Sequence, residues 1–119
     1  AATTTETVAV LTKGLPCTGK TTFAMALGRR LGCPVLCKDD VRDVLPDRSL
    51  NAASYAVLWK FAARQCALGA FPFVVVESPL MRAELLADAR RALSGRVVVV
   101  ECVVDGEEWG RRLAEREAA

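Results

Sequence analysis

The sequence predicts an α/β domain of three layers, a parallel sheet with helices packed on both faces. Three observations carry that expectation. Strand-like and helix-like segments alternate along the chain. The strand-like segments are continuous apolar runs, as in strands whose two faces are both covered. A loop containing glycines joins the first strand-like segment to the first helical one.

Thr7 to Thr12, TVAVLT, is rich in β-branched residues and reads as the first strand. After the glycine loop, Lys20 to Leu31 reads as a helix with Phe23, Ala24, Leu27 and Leu31 on one face, ended by Gly32. Pro34 to Cys37 is a short second strand, closed by Lys38-Asp39-Asp40. Asn51 to Leu68 carries Ala53, Val57, Leu58, Phe61, Ala62 and Cys66 at helical spacing, and Gly69 stops it. Phe71 to Val76 is a third, nearly all-apolar strand. Ser78 is suited to cap the next helix with Pro79 in its first position, and Leu85, Leu86, Ala89 and Leu93 mark the buried stripe. Ser94-Gly95 turns the chain into a fourth strand, Arg96 to Val104, and Glu107 to Glu117 begins a last helix.

Composition sets the frame. A chain of 119 residues with 52% hydrophobic and 25% charged residues suggests one domain, residues 1–119, with enough apolar material for a core. The first six residues are expected to be flexible. Sixteen basic and fourteen acidic residues give a net charge of +2, too little to argue nucleic-acid binding from charge alone. Arg82, Arg90, Arg91 and Arg96 cluster, but such a run is usually a solvated face. The five cysteines are odd in number and follow no secretory signal, which fits a reducing, cytoplasmic location. Without histidine or a CxxC pair, neither a zinc site nor Cys-His or Ser-His catalysis is expected. The apolar runs, such as Val97 to Val100, fall far short of a membrane span. The first residue is not Met, so the sequence is expected to begin inside a longer chain.

Gly14-Leu15-Pro16-Cys17-Thr18-Gly19-Lys20-Thr21 matches GxxxxGK[ST]. Chemistry explains each fixed residue. The glycines let the backbone N–H groups turn inward onto phosphate oxygens. Lys20 brings a cation to the β- and γ-phosphates, and the Thr21 hydroxyl is a Mg²⁺ ligand. The helix that opens there adds its positive end. The loop follows a strand and precedes a helix, as this phosphate-binding loop (P-loop) requires, and so implies a bound nucleoside triphosphate. Pro16, Cys17, Thr18 and Thr22 complete the expected contact set. Cys17 stands where many such loops have glycine.

Three further clusters fall where a reaction needs them. Asp39, Asp40 and Arg42 follow the second strand, on the rim where ligands of open parallel sheets bind. A carboxylate there accepts a proton from an attacking hydroxyl, and Arg42 holds an anionic acceptor. The plainer reading is an acidic helix start. Glu77 ends the third strand, where a carboxylate commonly supports Mg²⁺; the alternatives are a contact with the acceptor, a base for water, or a solvent-facing charge. Arg111, Arg112 and Arg116 lie on the last helix, where spacing alone favours a solvated face with pairs such as Glu108 to Arg112.

Strand-GLPCTGKTTFA-helix, then CKDDVRDVL, VVVES and ECVVDGEEWGRRLAER, resembles the small P-loop kinases related to the polynucleotide 5′-kinase domain, the seryl-tRNA kinase-like proteins and the chloramphenicol phosphotransferase-like proteins. The likeness runs over residues 7–116. It implies a nucleotide-kinase-like P-loop fold with strand order 2-3-1-4, the fifth strand missing. It implies ATP and Mg²⁺ bound at Lys20 and Thr21, Asp39 activating the acceptor hydroxyl, Arg42 on the acceptor, and Arg112 or Arg116 as the lid arginine. Glu77 stands where relatives often have Asp. Relatives continue beyond the lid, so an incomplete lid and adenine site are expected. The function expected is transfer of the γ-phosphoryl of ATP to a hydroxyl of a small molecule or nucleic-acid end. The rivals are a nucleotide hydrolase acting through a partner, with Glu77 orienting water, and a binding module without catalysis.

Overall fold

The structure is a computed structural model that describes residues 6–47 and 50–118. Apart from Glu6, the segment expected to be flexible lies outside those residues. Four strands form one parallel sheet: β1 (Val8–Lys13), β2 (Val35–Cys37), β3 (Phe73–Glu77) and β4 (Val97–Glu101). Their order is β2-β3-β1-β4, as the resemblance implies. Five helices connect and follow them: α1 (Lys20–Leu31), α2 (Lys38–Arg42), α3 (Asn51–Leu68), α4 (Ala83–Ala92) and α5 (Gly106–Ala118).

The register places Val10 beside Val75 and Val98, so the strand ends fall on one rim. Each face of the sheet carries its own core. On one, Leu58, Trp59 and Ala62 of α3 and Ala89 of α4 pack against Ala9, Leu11, Val74 and Val76. On the other, Ala24 of α1 packs against Val10 and Val75, flanked by Leu27, Val35 and Val100. Alternation of Val74, Val75 and Val76 between these clusters explains why β3 is apolar at every position. At Gly28 an added Cβ would collide with Val35, so the glycine lets α1 lie close to β2. The β4 run reads as doubly covered but is an edge strand, and Val98 is 41% exposed.

Several expected boundaries are wrong: β3 begins at Phe73 rather than Phe71, and β4 ends at Glu101 rather than Val104. Ser78 does not cap α4; the helix begins at Ala83 with Arg82 before it, and the stretch between is an irregular rim segment. Local cap chemistry loses to a long-range one. Thr12 Oγ1 accepts from the Ser78 N–H at 3.1 Å and donates to the Ser78 carbonyl at 3.2 Å, which holds the residue to β1. The Leu80 N–H then donates to the Tyr55 hydroxyl, at a positive φ of 52°.

Candidate nucleotide site

At the rim, β1 runs into residues 14–19. Gly14 is pinned from two sides: its N–H donates to the Pro79 carbonyl at 3.0 Å, and the adjacent Lys13 carbonyl accepts from Cys102 N–H at 2.7 Å. Its φ of 156° and the closeness of the Cys102 carbonyl leave no room for a side chain. Cys17 and Gly19 also have positive φ, 63° and 89°, so the backbone between them curls inward before α1 begins. Such a concave run of N–H groups at a helix start suits an anion. Cys17 thus adopts the conformation that glycine would take without strain.

The loop borders a cavity of about 390 Å³. Pro16, Cys17, Gly19, Lys20, Thr21 and Thr22 form one wall. Lys38, Asp39 and Arg42 from α2, Glu77, Ser78 and Pro79 at and after the end of β3, and Arg116 from α5 complete the cavity's lining. The expected residues Gly14 and Thr18 instead border a smaller cavity of about 240 Å³ on the outer side of the loop. The Thr18 hydroxyl donates to the Leu15 carbonyl at 2.7 Å.

Lys20 is buried, and its Nζ donates to the Leu15 carbonyl at 2.7 Å. Burial lowers its pKa, while the charges of Glu77, Cys102 and Asp39 work the other way. Glu77 is 5% exposed, so it is not a solvent-facing strand end. Burial raises its pKa first, and Asp39 adds to this, whereas Lys20 and a hydrogen bond with the Cys37 thiol oppose it. The Cys37 thiol is pushed up to about 12 by burial and then by Glu77 and Asp40. Asp39 lies 3.8 Å from the Arg42 guanidinium and remains exposed. Asp40 is exposed and does not border the cavity.

Helix α5 leans on the loop from outside. The Trp109 indole N–H donates to the Pro16 carbonyl at 2.7 Å, and Arg112 reaches the Cys17 carbonyl at 3.4 Å. Arg116 Nη1 lies 3.7 Å from the Cys17 sulfur. Glu108 pairs with Arg112 at 2.8 Å, as its spacing predicts, while Glu115 pairs with Arg111 at 2.7 Å. Arg112 therefore braces the loop, and Arg116 faces the cavity. Lys38, Ser78 and Pro79 were not singled out from the sequence as cavity residues; the place of Lys38 beside Asp39 was the available signal.

A hydroxyl at Thr21 and a buried carboxylate at Glu77 on the same cavity are an oxygen donor set suited to Mg²⁺, which binds through one or two protein groups plus phosphates. No cluster of three or more His, Cys, Asp or Glu side chains that would hold a metal by itself occurs among the described residues. All five cysteines are free thiols. No helix among the described residues is long and apolar enough to cross a membrane.

The parallel 2-3-1-4 sheet with a glycine loop between β1 and α1 defines a kinase-like P-loop protein. The chain belongs to the AAA domain family, whose pattern matches residues 10–119. No curated protein matches the sequence. Among solved structures, it is similar to a Chloroflexus aurantiacus protein provisionally described as a kinase, at 24% identity and TM-score 0.79, over 96% of this chain and 69% of that one. A chain of the Pnkp1/Rnl/Hen1 complex gives 17% identity and TM-score 0.78 over 93% of this chain and 40% of the other. The Mycobacterium tuberculosis APS kinase gives 19% identity and TM-score 0.68 over 96% and 99%. At these identities the likeness is one of fold.

Proposed function

We propose that the chain is an ATP-dependent kinase that transfers the γ-phosphoryl to a hydroxyl. The observation that carries this is one cavity lined by Lys20 and Thr21, by Asp39 and Arg42, and by Arg116. In this reading the N–H groups of residues 17–19, where the backbone turns into α1, and the Lys20 ammonium hold the triphosphate. Thr21, with Glu77 on the same cavity, would hold Mg²⁺, which would draw charge off the phosphate oxygens. Asp39 takes the proton of the acceptor hydroxyl as its oxygen bonds to the γ-phosphorus. The bond from that phosphorus to the bridging oxygen breaks, and ADP leaves. Arg42 holds the acceptor, and Arg116 offsets charge on the transferring group. The protein's contribution is positioning and charge. The likeness in fold to the Chloroflexus aurantiacus protein and the APS kinase supports this reading.

The test is transfer of label from γ-labelled ATP to a panel of alcohols: neutral sugars, hydroxy acids, phosphorylated nucleosides and oligonucleotide 5′ ends. Wild type is expected to label at least one class. Asp39→Asn is expected to bind ATP normally and transfer ~10²–10⁴-fold more slowly. Equal transfer by the two proteins would remove Asp39 from the role of base. A hydrolase reading draws on the buried Glu77, the largest charge influence on Lys20. Slow ATP hydrolysis that no alcohol diverts would favour it.

A further inference from the structure

Lys38 is 5% exposed, yet it forms no ion pair or hydrogen bond among the described residues. Its ammonium sits over the Tyr55 ring, 4.9 Å from the centroid. A ring face attracts a cation but offers its N–H groups no lone-pair acceptor. The charges of Asp39 and Glu77 favour the ammonium from a distance, but neither carboxylate hydrogen-bonds it: Asp39 pairs with Arg42, and Glu77 bonds the Cys37 thiol. Burial and the like charge of Arg42 lower the Lys38 pKa, so a second cation stands close by without neutralising it. Ser78, 1% exposed and on the same cavity, has a hydroxyl beside that of Tyr55 without a hydrogen bond of normal geometry. The Ser78 hydroxyl is a buried donor without an acceptor, which is costly, and both it and the Lys38 side chain border open space that a ligand can fill.

Position separates this corner from the triphosphate. Lys38 follows β2 and Lys20 follows the loop after β1, with β3 between them. Two strand spacings put those strand ends ~9–10 Å apart. Glu77, at the end of β3, influences both lysines. A phosphate seated at Lys20 leaves the Lys38 and Arg42 corner for a second group.

Resting on the kinase reading of this cavity, we propose that Lys38, with Arg42, binds an oxyanion carried by the phosphoryl acceptor. The substrate is then an alcohol bearing a phosphate or carboxylate, and neutral alcohols are poor acceptors. Lys38 sets that specificity by giving the oxyanion a desolvated, charge-assisted hydrogen bond.

Calorimetry on the whole chain tests this in two stages. The affinity for Mg²⁺ with the non-hydrolysable analogue AMP-PNP is measured for wild type, Lys38→Met and Lys38→Arg. Inorganic phosphate is then titrated into each saturated complex, with glycerol as the neutral probe. Methionine keeps an unbranched apolar stem against Tyr55, and unchanged melting checks the fold. The expected result is phosphate uptake by the saturated wild type, weakened about tenfold or more in Lys38→Met and largely restored in Lys38→Arg. Nucleotide affinity is expected to hold within about twofold and glycerol to show no binding, because the effect is one of charge at a separate corner. Loss of nucleotide affinity in Lys38→Met with phosphate uptake intact would overturn the proposal and give Lys38 to the triphosphate. Absence of phosphate uptake by a saturated wild type would overturn it while leaving the kinase reading in place. A wild type that binds no nucleotide would strike the kinase reading itself, and the acceptor role with it.

Discussion

Gly14→Ala tests whether the loop is held as rigidly as its contacts imply. A Cβ at this position would lie 2.6 Å from the Cys102 carbonyl oxygen and 2.7 Å from Thr18 Oγ1. The threonine hydroxyl has a partner of its own in the Leu15 carbonyl, and the Cys102 oxygen is backbone. Gly14 cannot slide away, because its N–H is tied to Pro79 and its neighbour Lys13 to Cys102. Overpacking and a φ foreign to alanine together cost ~2–6 kcal/mol. Against a total stability of about 5–15 kcal/mol this is a large fraction, equivalent to a fall of order 10–20 °C in melting temperature. Thermal denaturation followed by circular dichroism reads the stability, and ATP titration reads the loop. A variant that melts within about 2 °C of wild type and binds ATP equally well would refute the reasoning.

Two other substitutions probe the larger cavity. Cys17→Gly removes a left-handed conformation that costs an L-residue ~1–2 kcal/mol, offset in part by the freer unfolded chain, so melting is expected to rise by about 3–5 °C. A lower melting temperature would mean that the contact of Cys17 with Arg116 outweighs the strain. Glu77→Gln tests burial of charge. The native pKa of Glu77 lies above the ordinary 4.5, so between the two values the native chain holds a proton that the unfolded chain has lost. Stability should therefore fall as pH rises through that window, and above it the ionised carboxylate destabilises the fold. Urea denaturation is expected to show the variant more stable than wild type near neutral pH, with the gap closing below 4.5. A gap that widens on acidification would contradict the assignment.

The parts of this molecule legible in the sequence are those that local physics decides. Continuous apolar runs in β1 and β3 and glycines after α1 and α3 mark the alternating elements, and the glycine loop stands between β1 and α1 as its spacing requires. The rest depends on contacts between distant residues. Ser78 carries a cap signature, but Thr12, sixty-six positions away, takes its backbone groups. Arg116 sits at a spacing that suits a solvated helix, and only the lean of α5 onto Pro16 and Cys17 brings it to the cavity. Lys38 reads as one residue of a polar strand end. Its burial comes from the Tyr55 ring on α3, which no local pattern announces.

The central claim is that this loop binds a nucleoside triphosphate through Lys20. Calorimetric titration of ATP with Mg²⁺ into wild type and Lys20→Ala, side by side, tests it most directly. The account expects saturable, Mg²⁺-dependent binding by wild type and its loss in the variant, with both proteins folded. Equal binding by the two, or none by folded wild type, would contradict it.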